Sequence, residues 1–377
     1  MRNYGKTTLY EYLGDKVVYR NLEPWDAELP GLRQLATALG LPQGVIPRKN
    51  ENDYARLMVK LLEAAQARRT GAALRQLVYV GDTRLLDGTA FDNLCQASRW
   101  PGLAFIAAEN GDPLKIEIEL HAQGGQVFLA NRWAALEEFA GYVGDHGLPV
   151  DESTVVIVDI DKTALGGRGR NGHVIDRARL QAVQDTVAAL LGPAFEPEAF
   201  RSAYDRLNRA EFHPFTTDNQ DYLAYICLIL GSGLYELEDL LKAIRTETMK
   251  SFHDFIAEVE RQRAALPAQL AEIHADIFAH VQAGDPTPFK AFRRGEYLRT
   301  IGCFGQLEDS APVQRLLDEE ILITQEVRQA VLAWREAGAL LFGLSDKPDE
   351  AATPTPELAA QGYQPIHRAE THALGAG

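Results

Sequence analysis

The chain has 377 residues, 46% of them hydrophobic, and carries a formal net charge of −15. That length accommodates two domains, or one domain with a large insertion. The acidic balance argues against a protein that wraps nucleic acid, which presents a basic face. No run of about 18 apolar residues is present to cross a membrane.

Lys16–Leu22 reads as a short strand, and Leu32–Leu39 as a short helix ending near Gly40. After a loop over Pro42–Pro47, a helix is expected over Asn50–Arg69, with Asn52 or Asp53 as its cap. Lys49 stands just ahead of it. Leu77–Val80 (LVYV) is a buried strand by composition, running into Gly81, Asp82 and, further on, Asp87. Leu103–Ala107 is a third core strand. Lys115–Leu120 and Gln126–Ala130, separated by Gly124-Gly125, carry a hairpin signal, and Arg132–Tyr142 reads as a helix.

The β-branched run Val155–Val158 suits a strand buried on both faces of a parallel sheet. It ends in Asp159, Ile160, Asp161, Lys162 and Thr163. Two carboxylates two positions apart at the carboxyl end of such a strand lie where open α/β sheets bind ligands.

A glycine-rich loop over 166–172 follows, carrying Arg168 and Arg170. Residues 175–335 are then helical in pattern. The clearest segments are Arg177–Leu191, Pro197–Arg209, Asp221–Leu230, Leu234–Ala257, Pro267–Val281 and Thr324–Ala337. Ala339–Leu344 is a last core strand, ending in Ser345, Asp346 and Lys347. A short helix at Pro356–Ala360 and a strand at Gln364–His367 close the chain. Cys95, Cys227 and Cys303 lack the spacing of a zinc site or a disulfide framework. The N-terminus lacks the apolar core of a signal peptide, so a cytoplasmic protein is expected.

Four pieces of this sequence, DIDKT, LSDKP, IPRKN and GDTRLLD, resemble the four motifs of the haloacid dehalogenase (HAD) superfamily of phosphohydrolases. Their usual order is DxDxT, Ser or Thr, Lys, then a paired-acid loop. Here Lys49 comes first, then Asp82/Asp87, then Asp159/Asp161, then Ser345, a cyclic rotation that implies a circular permutation. Chains tolerate permutation where their termini meet at the surface. The resemblance covers residues 49–163 and 336–348.

The resemblance implies an α/β fold, with a Rossmann-like parallel sheet core and a large helical cap inserted after the DxDxT strand. Residues 1–163 and 336–377 would form the core and 164–335 the cap. It makes Asp159 the nucleophile that accepts the phosphoryl group, Asp161 the general acid and base, and Ser345 a donor to a phosphoryl oxygen. Lys49 would neutralise charge, with Lys347 its rival for that role. Asp82 would bind Mg²⁺ with Asp159 and the backbone carbonyl of Asp161. Asp87 would act through a metal-bound water or by holding Lys49. Thr163, Arg168 and Arg170 are candidates for substrate binding, and Lys290, Arg293 and Arg294 for anion recognition from the cap.

The expected function is Mg²⁺-dependent hydrolysis of a small phosphorylated metabolite, with no nucleic-acid or membrane partner. A phosphotransferase or phosphomutase on the same scaffold, or a catalytically inactive binding module, are the alternatives. His173, His213, His253 and His274 show no ligand spacing, and His367 with His372 gives only a weak metal signal.

Overall fold

A seven-stranded sheet carries the candidate residues. This computed structural model describes every residue except 43, 112, 122–124, 147 and 377. The described residues form the strands β1 (Arg2–Thr7), β2 (Val17–Val18), β3 (Gln76–Gly81), β4 (Gly102–Ala107), β5 (Ile116–Leu120), β6 (Gln126–Ala130), β7 (Thr154–Asp159), β8 (Ile323–Thr324), β9 (Leu340–Leu344) and β10 (Thr371–Gly375). The large sheet runs β2-β9-β7-β3-β4-β6-β5 and is parallel throughout except for β5. The protein is therefore α/β, with a mostly parallel sheet compatible with a Rossmann-like arrangement.

The composition of the central strands explains their placement. Every residue of β3, β7 and β9 is buried, as expected of near-continuous apolar runs in a sheet covered on both faces. Alternate residues Leu77 and Tyr79, Val155 and Ile157, and Leu340 and Phe342 share one core cluster with Tyr54, Leu57, Met58, Leu61 and Leu62. Those last five recur at helical spacing on the helix Asn52–Arg69, which packs against the helix Leu86–Ser98. Anchoring this helix fixes the point where the chain enters it, just beyond Lys49. Elsewhere in the unit, Phe105 packs with Trp133, Phe128 and Phe139, and Phe139 meets Trp334 on the helix Gln325–Glu336.

Register sets the level of the strand ends. Val80 pairs with Val158, and Asp159 pairs with Leu344. Asp82, Asp159 and Ser345 therefore leave three neighbouring strands at nearly the same height. Strands far apart in the chain thus deliver their polar ends to one edge.

Most expected elements are present. The helix Leu32–Leu39 ends at Gly40, whose φ of +65° is the left-handed cap that glycine adopts without strain. The hairpin forms from β5 and β6, although Gly124 of its turn lies outside the described residues. Three expectations fail. Glu51, whose side chain makes no capping bond to the helix, takes the cap position in place of Asn52 or Asp53. The span Leu234–Ala257 is two helices, Leu237–Arg245 and Phe252–Arg261. The second opens on a capping box in which Ser251 and Asp254 satisfy each other's backbone N–H groups. The closing strand is β10, not Gln364–His367. It pairs with β1 and β8 in a separate three-stranded sheet.

The chain divides into two units, Met1–Arg177 with Thr300–Gly377, and Ala178–Arg299. The expected division at 164 and 335 is thus too wide. Ala164, Gly166, Leu322 and Thr324 bond to one another within the sheet-bearing unit. The second unit is helical around its own core of Leu223, Tyr225, Phe252, Phe255 and Ile277. In it, Arg293 is buried and bonds Asp221 (2.7 Å) and Glu296 (2.6 Å), so its charge is already matched. Lys290 pairs with Asp285 at 2.9 Å, while Arg294 is exposed. No helix among the described residues is long and apolar enough to cross a membrane.

Candidate functional site

Lys49 is the centre of the site. Its side chain is 4% exposed, and its Nζ donates to Asp159 Oδ1 at 2.5 Å and Asp87 Oδ1 at 2.7 Å. A buried ammonium persists only with such partners. The lysine ahead of the helix therefore reaches the carboxyl ends of β7 and β3. Burial opposes its charge, but Asp159 and Asp87 outweigh this and hold its pKa well above the usual lysine value.

Asp159 ends β7. Its Oδ2 accepts from the Thr163 hydroxyl at 2.8 Å, so Lys49 and Thr163 each fix one of its oxygens. The turn between them places Lys162 at φ +64°, a conformation uncommon outside glycine and typical of constrained sites. Burial, together with the Asp87 and Asp82 carboxylates, pushes the Asp159 pKa well up despite Lys49. The direction follows because several carboxylates share one lysine.

Asp87 is tied at both oxygens. Oδ1 accepts from Lys49 and from the Tyr79 hydroxyl (2.9 Å). Oδ2 accepts from the backbone N–H groups of Asp82 (3.0 Å) and Thr83 (2.8 Å). Of the two roles raised for it, holding Lys49 fits these bonds. The loop closes this tightly because residue 81 is glycine: a Cβ there would lie 2.6 Å from Asp87 Cγ. Gly81→Ala should cost about 1–3 kcal/mol by overpacking and disturb Asp87. Urea unfolding measures it, and a variant as stable as the parent would show that the loop yields freely.

Asp82 is buried, and its Oδ1 accepts from the Thr83 hydroxyl at 2.9 Å. Burial and the Asp87 charge raise its pKa to about 6. One oxygen each of Asp82, Asp87 and Asp159 lies within 4.8 Å of the others. Fully ionised and set against Lys49 alone, the three buried carboxylates leave two net negative charges, which a single divalent cation would cancel. Carboxylate oxygens are hard donors of the kind that hold hard divalent cations. Since Asp87 is saturated with hydrogen bonds, Asp82 and Asp159 are the carboxylates with capacity to ligate directly.

The chain matches no family model, no curated protein and no solved structure.

The remaining candidates are placed as follows. Asp161 is partly exposed and stands apart from the acidic cluster, its Oδ2 3.8 Å from Lys347 Nζ. Ser345 is buried at the end of β9, where its Oγ accepts from the Lys347 backbone N–H at 3.0 Å. That bond leaves the hydroxyl proton available to a ligand. Lys347, the rival of Lys49 for the charge-neutralising role, is buried. Arg168 donates to Asp82 Oδ2 at 2.5 Å. Arg170 does not join the cluster. It is locked between Glu109 (2.6 Å) and Glu326 (2.8 Å), which corrects its assignment to substrate. His367 bonds the Tyr19 hydroxyl and Asp15, while His372 lies between Glu320 and Asp309, so each has carboxylate partners of its own.

Sequence reasoning missed Tyr79, Thr83 and Arg20. Tyr79 is the one polar-tipped residue of the otherwise aliphatic run LVYV, and its ring also lies 5.7 Å from the Lys49 ammonium. Thr83 supplies an N–H to Asp87 and a hydroxyl to Asp82. Arg20 donates to the backbone carbonyls of Pro47 (2.8 Å) and Ile46 (3.4 Å), bracing the loop that presents Lys49.

Proposed function

We propose that this protein is a divalent-cation-dependent phosphohydrolase of small phosphorylated metabolites, built on a circularly permuted HAD-like core. The observation that carries the reading is the Lys49 ammonium held between Asp159 and Asp87, with Asp82 alongside, at the carboxyl end of adjacent parallel strands. Phosphoryl transfer asks chiefly for positioning and charge stabilisation, and this cluster offers both.

Asp159, with its oxygens oriented by Lys49 and Thr163, attacks phosphorus and forms an aspartyl-phosphate. Asp161, outside the acidic cluster, protonates the leaving oxygen. It then takes a proton from the water that releases phosphate, a form of acid–base help worth about 10²–10⁴-fold. Ser345 donates its hydroxyl to a phosphoryl oxygen, and Lys49 offsets charge on nucleophile and phosphate. Bound to Asp82 and Asp159, Mg²⁺ would offset the charge of the incoming phosphate. The helical unit Ala178–Arg299, inserted in the chain after the DIDKT turn, serves in this reading as the cap that excludes water and selects substrate.

The test is phosphate release from a panel of sugar phosphates, nucleotides and phospho-acids with Mg²⁺, repeated with a chelator. Chelator-sensitive release supports the reading. Phosphate transferred to a second metabolite instead of water would replace hydrolase with transferase, and no turnover on any panel member would overturn an enzymatic role.

A further inference from the structure

Arg168 is positioned with more care than a solvated loop residue requires. Its backbone N–H donates to Lys162 O at 2.6 Å, and its carbonyl accepts from the Glu109 N–H (2.8 Å) and the Trp133 indole N–H (3.2 Å). Next to it, Gly169 has φ +79° and packs against the Glu109 backbone so closely that a Cβ would stand 1.7 Å from the carbonyl oxygen. The main chain is therefore pinned on both sides. The side chain beyond it is 40% exposed, and only its guanidinium enters the cluster, bonding Asp82 Oδ2 and the Thr83 hydroxyl (3.3 Å).

Arg168 and a divalent cation draw on the same oxygen: a cation such as Mg²⁺ sits about 2.0–2.1 Å from a ligating oxygen, and its charge repels the guanidinium now 2.5 Å from Asp82 Oδ2. With Arg168 in place the cluster keeps one uncompensated negative charge. Exchanging the guanidinium for a divalent cation removes it. The released guanidinium, still tethered by a fixed backbone and facing solvent, is a planar donor suited to a phosphate or carboxylate.

We propose that Arg168 competes with the divalent cation for Asp82, and that cation binding frees Arg168 to take the anionic group of the substrate. The inference rests on the phosphohydrolase reading for its cation and its anion. It makes cation and substrate binding cooperative: the cation removes the partner that would otherwise hold the substrate's arginine.

The experiment uses the full chain and two probes, Mn²⁺ alone, followed by its paramagnetic resonance signal, and inorganic phosphate at saturating Mg²⁺, followed by calorimetry. Arg168→Met should bind Mn²⁺ about three- to tenfold more tightly, because loss of a part-exposed charge-assisted bond falls in that range. It should bind phosphate at least about tenfold more weakly, as loss of a charged hydrogen bond predicts. Arg84→Met removes an equal charge from the loop that carries Asp82, where Arg84 pairs with Glu119, and should leave Mn²⁺ affinity unchanged. Unchanged or weaker Mn²⁺ binding by Arg168→Met overturns the proposal, as does an equal gain in Arg84→Met or unaltered phosphate affinity. Failure of the parent protein to bind Mn²⁺ at all would instead remove the metal site on which the phosphohydrolase reading depends.

Discussion

Lys49→Met should destabilise the protein by about 3–5 kcal/mol at neutral pH, the usual cost of removing one partner from a buried ion pair. The methylene stem is nearly conserved by this substitution, so the loss reports charge. Asp87 and Asp159 would be left buried with their shared ammonium gone.

The pH dependence has a definite sign. Burial raises the Asp87 pKa, but Lys49 outweighs it and holds Asp87 below the ordinary carboxylate range. A depressed folded-state pKa contributes stability above the unfolded value of about 3.9, lost as pH falls through the folded one. The variant lacks that contribution. Its deficit should therefore be full at pH 7 and close as acid protonates the carboxylates in both proteins. Added Mn²⁺ should narrow the gap at pH 7 by supplying the missing positive charge. Urea unfolding across a range from about pH 4 to about pH 8, bracketing these values, measures both effects, and a deficit that stays constant with pH would contradict the electrostatic account. Lys49→Arg retains the charge and should recover most of the stability. Activity should fall by about 10²–10³-fold in Lys49→Met, the scale seen when one preorganised charge-stabilising donor is removed.

What could be read ahead of the structure follows from how local each signal is. Asp159 and Asp82 were legible because apolar strand runs stop abruptly at carboxylates, whereas Ser345 was marked out only by its context beside the other motifs. Lys49 carries no such local mark. Only its place relative to the other motifs singled it out, since the partners that hold it lie 38 and 110 residues away.

Arg168 and Arg170 look equivalent in the glycine loop, yet one turns to Asp82 and the other to Glu109 and Glu326. Nothing within the loop distinguishes them. The small sheet was hidden for a different reason. β8 has two residues, β1 is RNYGKT, and β10 is THALG. None has the apolar run or alternation that marks a strand, and their pairing is decided by the tertiary fold. The break in the helix expected over Leu234–Ala257 was, by contrast, written locally. Ser251 followed by Asp254 three positions on is a helix start, and it lies inside the span expected to be one helix.

Asp159→Asn should separate what the site does from what it costs. Asparagine keeps the shape of the side chain and an oxygen for Lys49, while its amide can donate to the Thr163 hydroxyl. The fold should therefore persist. Phosphate release should drop by about 10⁴-fold or more, since a nucleophile acts as part of a unit that fails when it is removed. Stability should move the other way. Burial and the neighbouring carboxylates push the Asp159 pKa well up, so ionising it opposes folding. The stability associated with a raised folded-state pKa is complete below about 3.9 and is lost as pH rises through the folded value. Asparagine does not titrate and escapes that loss. Without divalent cation, the variant should match the parent near about pH 4 and exceed it increasingly toward about pH 7. Saturating Mg²⁺ should reverse the order, because it stabilises only the protein whose Asp159 can ligate it fully. Thermal unfolding with Mg²⁺ and with a chelator decides the matter. A variant less stable than the parent under both conditions would mean that Asp159 serves the fold through Lys49, and that the carboxylate cluster is not held in readiness for a cation.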